Sequence, residues 1–310
     1  MPFTYGFPEA TDYRNGVVSI GNFDGVHLGH QRILNELTAQ AHGQNCASVV
    51  LTFEPHPIQI LRPEAAPARL TTLQQKAELI LNCGVEHVIA YPTDQQFLNL
   101  DPQQFFTQIV REALSARGLV EGPNFFFGKG RAGSIEMLQK LCSARQMTLQ
   151  VVSPAASEQG MISSSAIRAA LAGGHVENAR GQLGRPYTVS GRVVTGAQRG
   201  RTIGFPTANL AEIATMIPAD GVYACRCSID GEAFAAAVSI GGNPTFSDSA
   251  HKVEAHILEF NGDLYQTTLE VEFLNRLRDM QTFDSQEELS RQLREDIQQT
   301  RQIFDQLSTL

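Results

Sequence analysis

The sequence lacks the marks of an exported, membrane-bound or metal-cluster protein. Its five cysteines are scattered and include no CxxC pair, which argues against a zinc ribbon or a disulfide framework and favours reduced thiols in a cytoplasmic protein. The first residues carry no basic segment followed by an apolar run, and no stretch reaches the ~18 apolar residues of a membrane span. We therefore expect a cytoplasmic protein with no membrane partner.

An excess of positive charge and the commonest phosphate-binding loop are also missing. The net charge is −8, and an acidic protein is poorly suited to nucleic acid, which rewards clustered Lys and Arg. No Walker GxxxxGK[ST] string occurs, so a P-loop kinase is not predicted. Any phosphate chemistry must depend on local sites, and we expect no nucleic-acid partner.

Strand and helix patterns alternate in the first half of the chain. Strands are predicted at residues 16–20, 48–53, 85–91 and 149–153, and helices at residues 31–41, 73–81, 105–114 and 136–144. This alternation predicts an α/β fold with a doubly wound parallel sheet, in which ligands bind beyond the carboxyl ends of the strands.

A different pattern follows residues 173–186, where glycine, charge and a proline predict a linker or a domain edge. Beyond it, short alternating strands flank Asp230-Gly231 and residues 261–263 (NGD), and each turn string predicts a β-hairpin. These features predict a small antiparallel β-barrel with a terminal helix, whose start is marked by a capping box of Ser285 and Glu288. We expect domains at residues 1–182 and 183–310.

The string GNFDGVHLGHQ begins at Gly21, where the first strand ends and the first helix opens. Its glycines allow backbone N–H groups to approach a ligand, and the helix start favours an anion. The candidates for contacts with a bound phosphate are Gly21, Asn22, Phe23 and Asp24. His27 and His30 share one helix face and can donate hydrogen bonds to the charge that develops on an attacked α-phosphate. On its own, an HxxH string more often marks two ordinary surface histidines. The two could also be metal ligands, although the sequence offers no obvious third ligand nearby.

Two further strings carry anion-binding or nucleotide-binding patterns. ISSSAIR places three hydroxyls and an arginine at a helix start, with the candidates Ser163, Ser164, Ser165 and Arg168. The string GKGRAG, from Gly128 to Gly133, matches GxGxxG and makes a dinucleotide-binding oxidoreductase the alternative function. That alternative is disfavoured, because the fingerprint belongs in the first βα turn and carries no cations such as Lys129 and Arg131.

The string GRVVTGAQRGRTIGFPTANL begins a second candidate site at Gly191. Its glycines give a flexible backbone and its arginines supply positive charge, so Gly196, Gly200 and Arg201 are candidates for contacts with phosphate. Thr207 and Asn209 present a hydroxyl and an amide oxygen on one face of an extended segment, and hard oxygens suit Mg²⁺ already bound to nucleotide phosphates. Residues 253–257 alternate, which places Glu254 opposite the apolar side chains.

Over residues 16–299, these strings together resemble the bacterial bifunctional riboflavin kinase/FMN adenylyltransferase (FAD synthetase) family. The string VHLGH is similar to the HxGH signature of nucleotidyltransferases, ISSSAIR to their second motif, and PTAN to the riboflavin kinase motif. The resemblance implies that riboflavin and ATP give FMN and ADP, and that FMN and a second ATP give FAD and diphosphate. Riboflavin, FMN and ATP are then the partners, Mg²⁺ accompanies ATP, and FMN and FAD are the products.

The resemblance also implies a role for each site. Residues 1–182 would be the adenylyltransferase and residues 183–310 the kinase, with Glu254 as the base for the riboflavin hydroxyl. Asn124 and Arg276 would lie near flavin. The segment from Asn124 to Ser134 departs from the commoner family residues at Asn124, Phe126 and Ser134. Of its residues, only Asn124 is carried over as a candidate flavin contact. A flavin-binding protein with decayed catalysis is disfavoured, since His27, His30, Thr207, Asn209 and Glu254 are all present. Homo-oligomerisation is left open.

Overall fold

The computed structural model describes residues 2–154, 156–157, 160–196, 204–243 and 248–308. The chain divides into two units by its own contacts. The first unit comprises Met1–Pro67 and Thr71–Ser163, and the second comprises Ala68–Leu70 and Ser164–Leu310.

A six-stranded parallel sheet forms the centre of the first unit. Its strands are β1 (Phe3–Tyr5), β2 (Val17–Ile20), β3 (Ser48–Glu54), β4 (His87–Pro92), β5 (Gly118–Glu121) and β6 (Thr148–Val151). They lie in the order β1-β4-β3-β2-β5-β6 and pair in parallel throughout. The helices of this unit are α1 (Leu28–Gly43), α2 (Pro57–Leu61), α3 (Leu73–Asn82), α4 (Gln95–Leu98), α5 (Pro102–Phe105) and α6 (Ile135–Ser143).

The order of the strands places a topological switch at β2. β3 and β4 continue the sheet on one side of β2, whereas β5 and β6 continue it on the other. Separate apolar clusters cover the two faces of the sheet: Val18 packs in one and Val17 in the other. The doubly wound fold is confirmed, and it predicts a ligand crevice beyond the carboxyl end of β2.

Some boundaries in the first unit differ from the pattern-based predictions. The helix predicted at residues 105–114 begins earlier, at Pro102, because Asp101 and Gln104 form a capping box ahead of it. Its continuation, Phe106–Ala113, is π-helical. β6 covers Thr148–Val151 rather than residues 149–153. A short hairpin of β7 (Ala156–Ser157) and β8 (Gly160–Met161) follows.

The second unit is a closed six-stranded barrel with helices around it. α7 (Ser164–Ala172) and α8 (Val176–Leu183) precede β9 (Tyr187–Val194), β10 (Ala208–Ala211), β11 (Gly221–Ile229), β12 (Glu232–Asn243), β13 (Asp248–Ile257) and β14 (Thr268–Arg278). The barrel order is β10-β13-β12-β11-β14-β9, and its pairs are antiparallel. The terminal helix is α9 (Gln286–Ser308), and the Ser285 hydroxyl caps it by accepting the Glu288 N–H at 3.1 Å. The predicted barrel and terminal helix are confirmed.

Of the two predicted hairpins, one forms and one does not. β11 and β12 pair up to Ile229 and Glu232 around the left-handed residues Asp230 and Gly231, as a two-residue turn requires. β13 and β14, which flank residues 261–263, are not paired with each other, so that prediction is wrong. β13 pairs with β10 and β12, whereas β14 pairs with β11 and β9. In the closed barrel each of these two strands has two other strands as its neighbours.

Residues 173–186, predicted to be a linker or a domain edge, are largely helical. α8 occupies most of this range, and Val176, Ala179 and Leu183 pack in the same apolar cluster as the barrel interior. Gly174 and Gly184 lie at its two ends in the left-handed region, with φ of 76° and 74°. The glycines therefore mark the ends of a short helix, as helix-terminating glycines commonly do.

Candidate active sites

A left-handed loop connects β2 to α1 in the first unit. Phe23, Gly25 and Val26 have φ of 48°, 83° and 39°. For residues other than glycine this conformation costs roughly 1–2 kcal/mol each. Phe23 and Val26 nevertheless have buried side chains, and Val26 is β-branched. The surrounding structure must therefore hold this loop in place, at the edge of the sheet where a ligand is expected.

His27 and His30 lie side by side at the start of α1. Their ring centroids are 3.6 Å apart with an interplanar angle of 15°, and the Phe23 ring meets His30 edge-on at 5.1 Å. His27 caps α1, because its Nδ1 accepts the backbone N–H of His30 at 3.2 Å. When His27 is neutral, its proton is therefore on Nε2, the nitrogen able to donate to a ligand. The structure brings together the two imidazoles that the sequence singled out.

The environment of His30 disfavours its charged form. Burial is the largest cause that lowers its pKa well below the ordinary 6.5, and the His27 ring and the Lys76 ammonium lower it further. Nδ1 of His30 is buried and has no hydrogen-bond partner within the described part of the chain. A neutral imidazole with one unsatisfied nitrogen can still donate a hydrogen bond to a phosphate oxygen or accept one from a phosphate hydroxyl, depending on which nitrogen carries the proton.

The other candidate residues of the string GNFDGVHLGHQ have hydrogen-bond partners within the protein. Asp24 is buried, and its Oδ1 accepts hydrogen bonds from the backbone N–H and the hydroxyl of Thr71 at 3.1 and 3.2 Å. The Asn22 carbonyl accepts from the Thr52 hydroxyl at 3.2 Å, and the Asn22 side-chain oxygen is buried without a partner among the described residues. Gly21 continues the strand by donating to the Leu51 carbonyl at 3.0 Å.

The ISSSAIR segment spans the boundary between the two units, which falls between Ser163 and Ser164. Ser164 is the first residue of α7, and Ser165 and Arg168 lie in its first turns. The Arg168 Nε donates to the Ala68 carbonyl at 2.7 Å, so part of this guanidinium holds the short segment Ala68–Leu70. The predicted helix start with its hydroxyls is therefore present.

The GKGRAG string does not have the setting of a dinucleotide fingerprint. β5 ends at Glu121, and the string forms a 3-10 turn, Lys129–Arg131, closed by a bridge between Phe127 and Gly133. The fingerprint requires a strand that leads directly into the glycine string, whereas β5 ends before this one. The oxidoreductase alternative is therefore not favoured. Asn124 is exposed in the preceding turn, and the Arg131 guanidinium lies 4.7 Å from the centre of the exposed Phe126 ring.

In the barrel, three oxygen-bearing side chains lie on, or just before, the neighbouring strands β10 and β13. Asn209 of β10 lies directly opposite Glu254 of β13. The Thr207 hydroxyl donates to the Glu254 carboxylate at 3.4 Å. Val253, Ala255 and Ile257 are buried in the barrel, so Glu254 is on its outer face, as the alternation predicted. Hydroxyl, amide and carboxylate oxygens are the donors that Mg²⁺ prefers, so these residues fit a magnesium–nucleotide complex.

Gly196 lies against the Asn209 side chain. A Cβ at position 196 would be 2.2 Å from Asn209 Nδ2 and 2.7 Å from Oδ1. Only glycine leaves room for the amide in its present place. Gly200 and Arg201, the other residues of this loop predicted to contact ATP, lie outside the described residues.

Two neighbours complete the surroundings of Glu254. Ser239 of β12 is opposite Glu254 on the side away from Asn209, so its hydroxyl extends the same polar row. His256 holds the PTAN segment through a 2.7 Å contact between its Nδ1 and the Pro206 carbonyl, which agrees with a structural role for this histidine. Ser239 was not singled out from the sequence as a site residue, because its place beside Glu254 depends on how β12 pairs with β13.

Arg276, predicted near flavin, is tied into the second unit. Its backbone N–H donates to the Glu177 carboxylate of α8, and its guanidinium reaches the Asp220 carbonyl and the Asp279 carboxylate, all at 2.7 Å. Its Nε is buried without a partner in the described part of the chain. The Arg276 side chain is about a quarter exposed, at 26%. Arg276 therefore has a fixed position and a polar group left over.

Three other residues near the first candidate site were not identified from the sequence. Thr71 and Lys76, at the start of α3, hydrogen-bond to the β2–α1 loop and to β3. Glu121, the last residue of β5, is buried and accepts the Ile20 N–H at 2.8 Å, and burial raises the pKa of its carboxyl well above 4.5. In the sequence these look like ordinary helix and strand residues.

Comparison with known proteins gives two family matches. Residues 9–166 match the FAD synthetase family model, and residues 183–304 match the riboflavin kinase model. Curated relatives named bifunctional riboflavin kinase/FMN adenylyltransferase include one from Escherichia coli strain K12, 36% identical over 93% of this chain and 92% of the relative. Another, from Listeria monocytogenes, is 38% identical over 96% of this chain and 95% of the relative.

A solved structure also resembles the whole chain. It is described as a macrolide-efflux protein from Streptococcus pneumoniae, is 32% identical, and superimposes with a TM-score of 0.85 over 97% of this chain and 99% of that one. Efflux is the activity named for that protein. Among the helices described for the present chain, none has the length and apolar character needed to cross a membrane.

Proposed function

Because the chain belongs to the bifunctional riboflavin kinase/FMN adenylyltransferase family, we propose that its two candidate sites catalyse consecutive steps of flavin cofactor synthesis. The barrel phosphorylates riboflavin with ATP, giving FMN and ADP. The site at the β2–α1 loop transfers the adenylyl group of a second ATP to FMN, giving FAD and diphosphate. The observation that carries this proposal is the grouping of Thr207, Asn209 and Glu254 in the barrel, within the part that matches a riboflavin kinase.

In the kinase step, Glu254 acts as the general base. Its carboxylate takes the proton of the riboflavin hydroxyl as that oxygen bonds to the γ-phosphorus and the bond to the ADP oxygen breaks. Thr207 and Asn209 would hold Mg²⁺ on the ATP phosphates, and the bound metal would neutralise charge that builds up there. Gly196 gives Asn209 the room it needs, while Gly200 and Arg201 contact the phosphates.

In the adenylyl step, a phosphate oxygen of FMN attacks the α-phosphorus of ATP and diphosphate leaves. His27 and His30 donate hydrogen bonds to the oxygens on which charge develops, so positioning and electrostatics carry the reaction without a covalent intermediate. The loop Gly21, Asn22, Phe23 and Asp24 shapes the phosphate site at the start of α1. The ATP phosphates are also held by Ser163, Ser164, Ser165 and Arg168.

The proposal extends to the domains, the flavin contacts and the setting. Residues 1–182 form the adenylyltransferase domain and residues 183–310 the kinase domain, which is supported by the ranges of the two family matches. Asn124 contacts flavin in the first domain and Arg276 in the second, where its leftover Nε supports a binding role. Flavins and ATP are the partners of a cytoplasmic, magnesium-dependent enzyme, and a net charge of −8 argues against a nucleic-acid partner.

The experiment that tests this function is a time course with riboflavin, ATP and Mg²⁺, in which the flavins are separated chromatographically. FMN should appear first and FAD should follow at its expense. Omitting Mg²⁺ should stop FMN formation. A protein that binds riboflavin but forms neither product would contradict the proposal.

Two variants assign the steps to the two sites. Glu254→Gln keeps the size and polarity of the side chain but removes its basicity, and should slow FMN formation by about 10²–10⁴-fold. His27→Ala should slow FAD formation from supplied FMN by about 10²–10³-fold, the usual cost of one such hydrogen-bond donor. Each variant serves as the folding control for the other, since each should retain the activity that the other loses. Loss of both activities in either variant would refute this assignment.

A further inference from the structure

The β2–α1 loop is held at two points by the beginning of α3. The first point is Thr71, which donates its N–H and its hydroxyl hydrogen to Asp24 Oδ1 at 3.1 and 3.2 Å. The same hydroxyl accepts the Gly25 N–H at 3.2 Å. Thr71 and Asp24 are only 6% and 8% exposed, so these bonds satisfy a carboxylate that would otherwise be costly to bury.

The second point is Lys76, one turn further along. Its ammonium is buried and donates to the Thr52 hydroxyl at 3.2 Å, and that hydroxyl donates to the Asn22 carbonyl at 3.2 Å. Asn22 lies just before the left-handed residues, and Asp24 and Gly25 lie among them. Residues just before and within the unfavourable stretch are therefore hydrogen-bonded, directly or through Thr52, to one short segment.

The segment that carries Thr71 and Lys76 is itself rigid. Thr72 caps α3 in a complete capping box with Gln75, so the turn between the two holding residues is fixed by reciprocal hydrogen bonds. A backbone conformation of high energy persists only where the surrounding structure enforces it. Since His27 directly follows Val26, the position of the imidazole pair depends on that enforcement.

Lys76 also acts on His30 through its charge. The groups that lower the pKa of His30 are its buried surroundings, His27 on the same helix, and Lys76 on α3. The residue that holds the loop is thus also a fixed positive charge near the reacting groups. Lys76 therefore affects the site in two ways, through its hydrogen bond to Thr52 and through its charge near His30.

We propose that Thr71 and Lys76 are positioning residues for adenylyl transfer, which hold the loop Asn22–Val26 so that His27 and His30 face the α-phosphate. The proposal rests on the function proposed above for the imidazole pair. Neither residue is required to touch ATP or FMN for this role. Their effect should fall on the rate of the adenylyl step, because displacing a catalytic group by about 1 Å can cost about 10²-fold.

The test compares Thr71→Val, Thr71→Ser and Lys76→Met in the full-length protein. Val keeps the shape of Thr but removes the hydroxyl, and should lower kcat for FAD formation from supplied FMN by about 10- to 100-fold. The KM for FMN should change much less. Ser restores the hydroxyl and should recover kcat to within a few-fold of the unmodified protein. FMN formation from riboflavin should be unaffected in all three variants.

Matched controls make the same chemical changes elsewhere in the first unit. Thr4→Val removes a buried hydroxyl that has no hydrogen-bond partner among the described residues, and Lys140→Met removes an exposed ammonium on α6. Both should keep unmodified rates of FAD formation. If Thr71→Val and Lys76→Met also keep these rates, or if Ser fails to restore the rate lost in Val, the proposal is wrong.

A second readout does not depend on activity. Titration of His30 by NMR, with its signal assigned by loss in His30→Gln, should show a higher pKa in Lys76→Met than in the unmodified protein or in Lys140→Met. An unchanged His30 pKa would overturn the electrostatic part of the proposal. Failure of the unmodified protein to make FAD would instead refute the proposed function, so the two failures are distinguishable.

Discussion

Replacing Gly196 by Ala should disable FMN formation while sparing FAD formation from supplied FMN. The added Cβ would be 2.2 Å from Asn209 Nδ2 and 2.5 Å from Cγ, whereas ordinary contact begins at 3.4 Å. The amide must therefore retreat by about 1.2 Å, the difference between 3.4 and 2.2 Å. Asn209 can do this only by rotating its side chain, because its backbone is paired on both sides, with Val194 and Glu254.

That displacement sets the expected size of the effect. A shift of about 1 Å in a group that positions the reactants can cost about 10²-fold in rate. FMN formation should therefore fall about 10²-fold, with a raised requirement for Mg²⁺, because the group that moves is the proposed metal ligand. Because the adenylyl step is proposed to take place at the β2–α1 loop, FAD formation should stay within a few-fold of normal.

The assay measures both reactions in one preparation, with Gly181→Ala as the matched control. Gly181 lies in α8, and a Cβ there would meet no atom within 4 Å, so this variant should keep both activities. Asn209→Ala and the double variant Gly196→Ala/Asn209→Ala complete the comparison. Once the amide is gone, the extra methyl has nothing to displace, so the double variant should be no slower than Asn209→Ala. Normal FMN formation by Gly196→Ala, or fully additive losses, would refute the reasoning.

Two further predictions concern stability and domain structure. A raised carboxyl pKa in the folded state means that the stability contributed by Glu121 is fully present below its unfolded pKa of about 4.5 and is lost as pH rises through the folded pKa. In urea unfolding, Glu121→Gln should therefore become more stable relative to the unmodified protein as the pH rises from 5 to 8. Exposed Glu78→Gln should show no such trend. A difference in unfolding free energy between Glu121→Gln and the unmodified protein that stays constant with pH would contradict the buried-acid interpretation. A fragment of residues 164–310 should make FMN but no FAD, and should melt at a higher temperature than residues 183–310, which lack Val176 and Ala179 of the barrel-side apolar cluster. Equal melting temperatures would show that α8 adds nothing to the barrel.

Several features of this protein follow from the sequence because they depend on neighbours along the chain. Strand alternation at residues 253–257 was enough to place Glu254 on the outer face of the barrel, since the period of two is a local property of extended backbone. The two-residue turn at Asp230-Gly231 was predicted for the same reason, because its left-handed φ values are a demand on those residues alone. The spacing of His27 and His30 correctly predicted that the two rings lie together, although His27 is the cap residue before α1 and not part of the helix.

The tertiary structure decided what depends on distant parts of the chain. The residues at 261–263 form a turn signal, yet the partners of β13 and β14 are set by barrel closure, which no local string encodes. The helix at residues 176–183 is stabilised by the apolar cluster it shares with the barrel, so glycine and charge at its ends predicted a linker instead. Lys76 reads as an ordinary helix lysine until the fold brings it to Thr52, 24 residues away, and Thr71 to Asp24, 47 residues away. Lys76 and Thr71 can hold the loop because the folded chain buries them against it. Burial depends on the whole folded chain, so the neighbouring residues in the sequence do not reveal it.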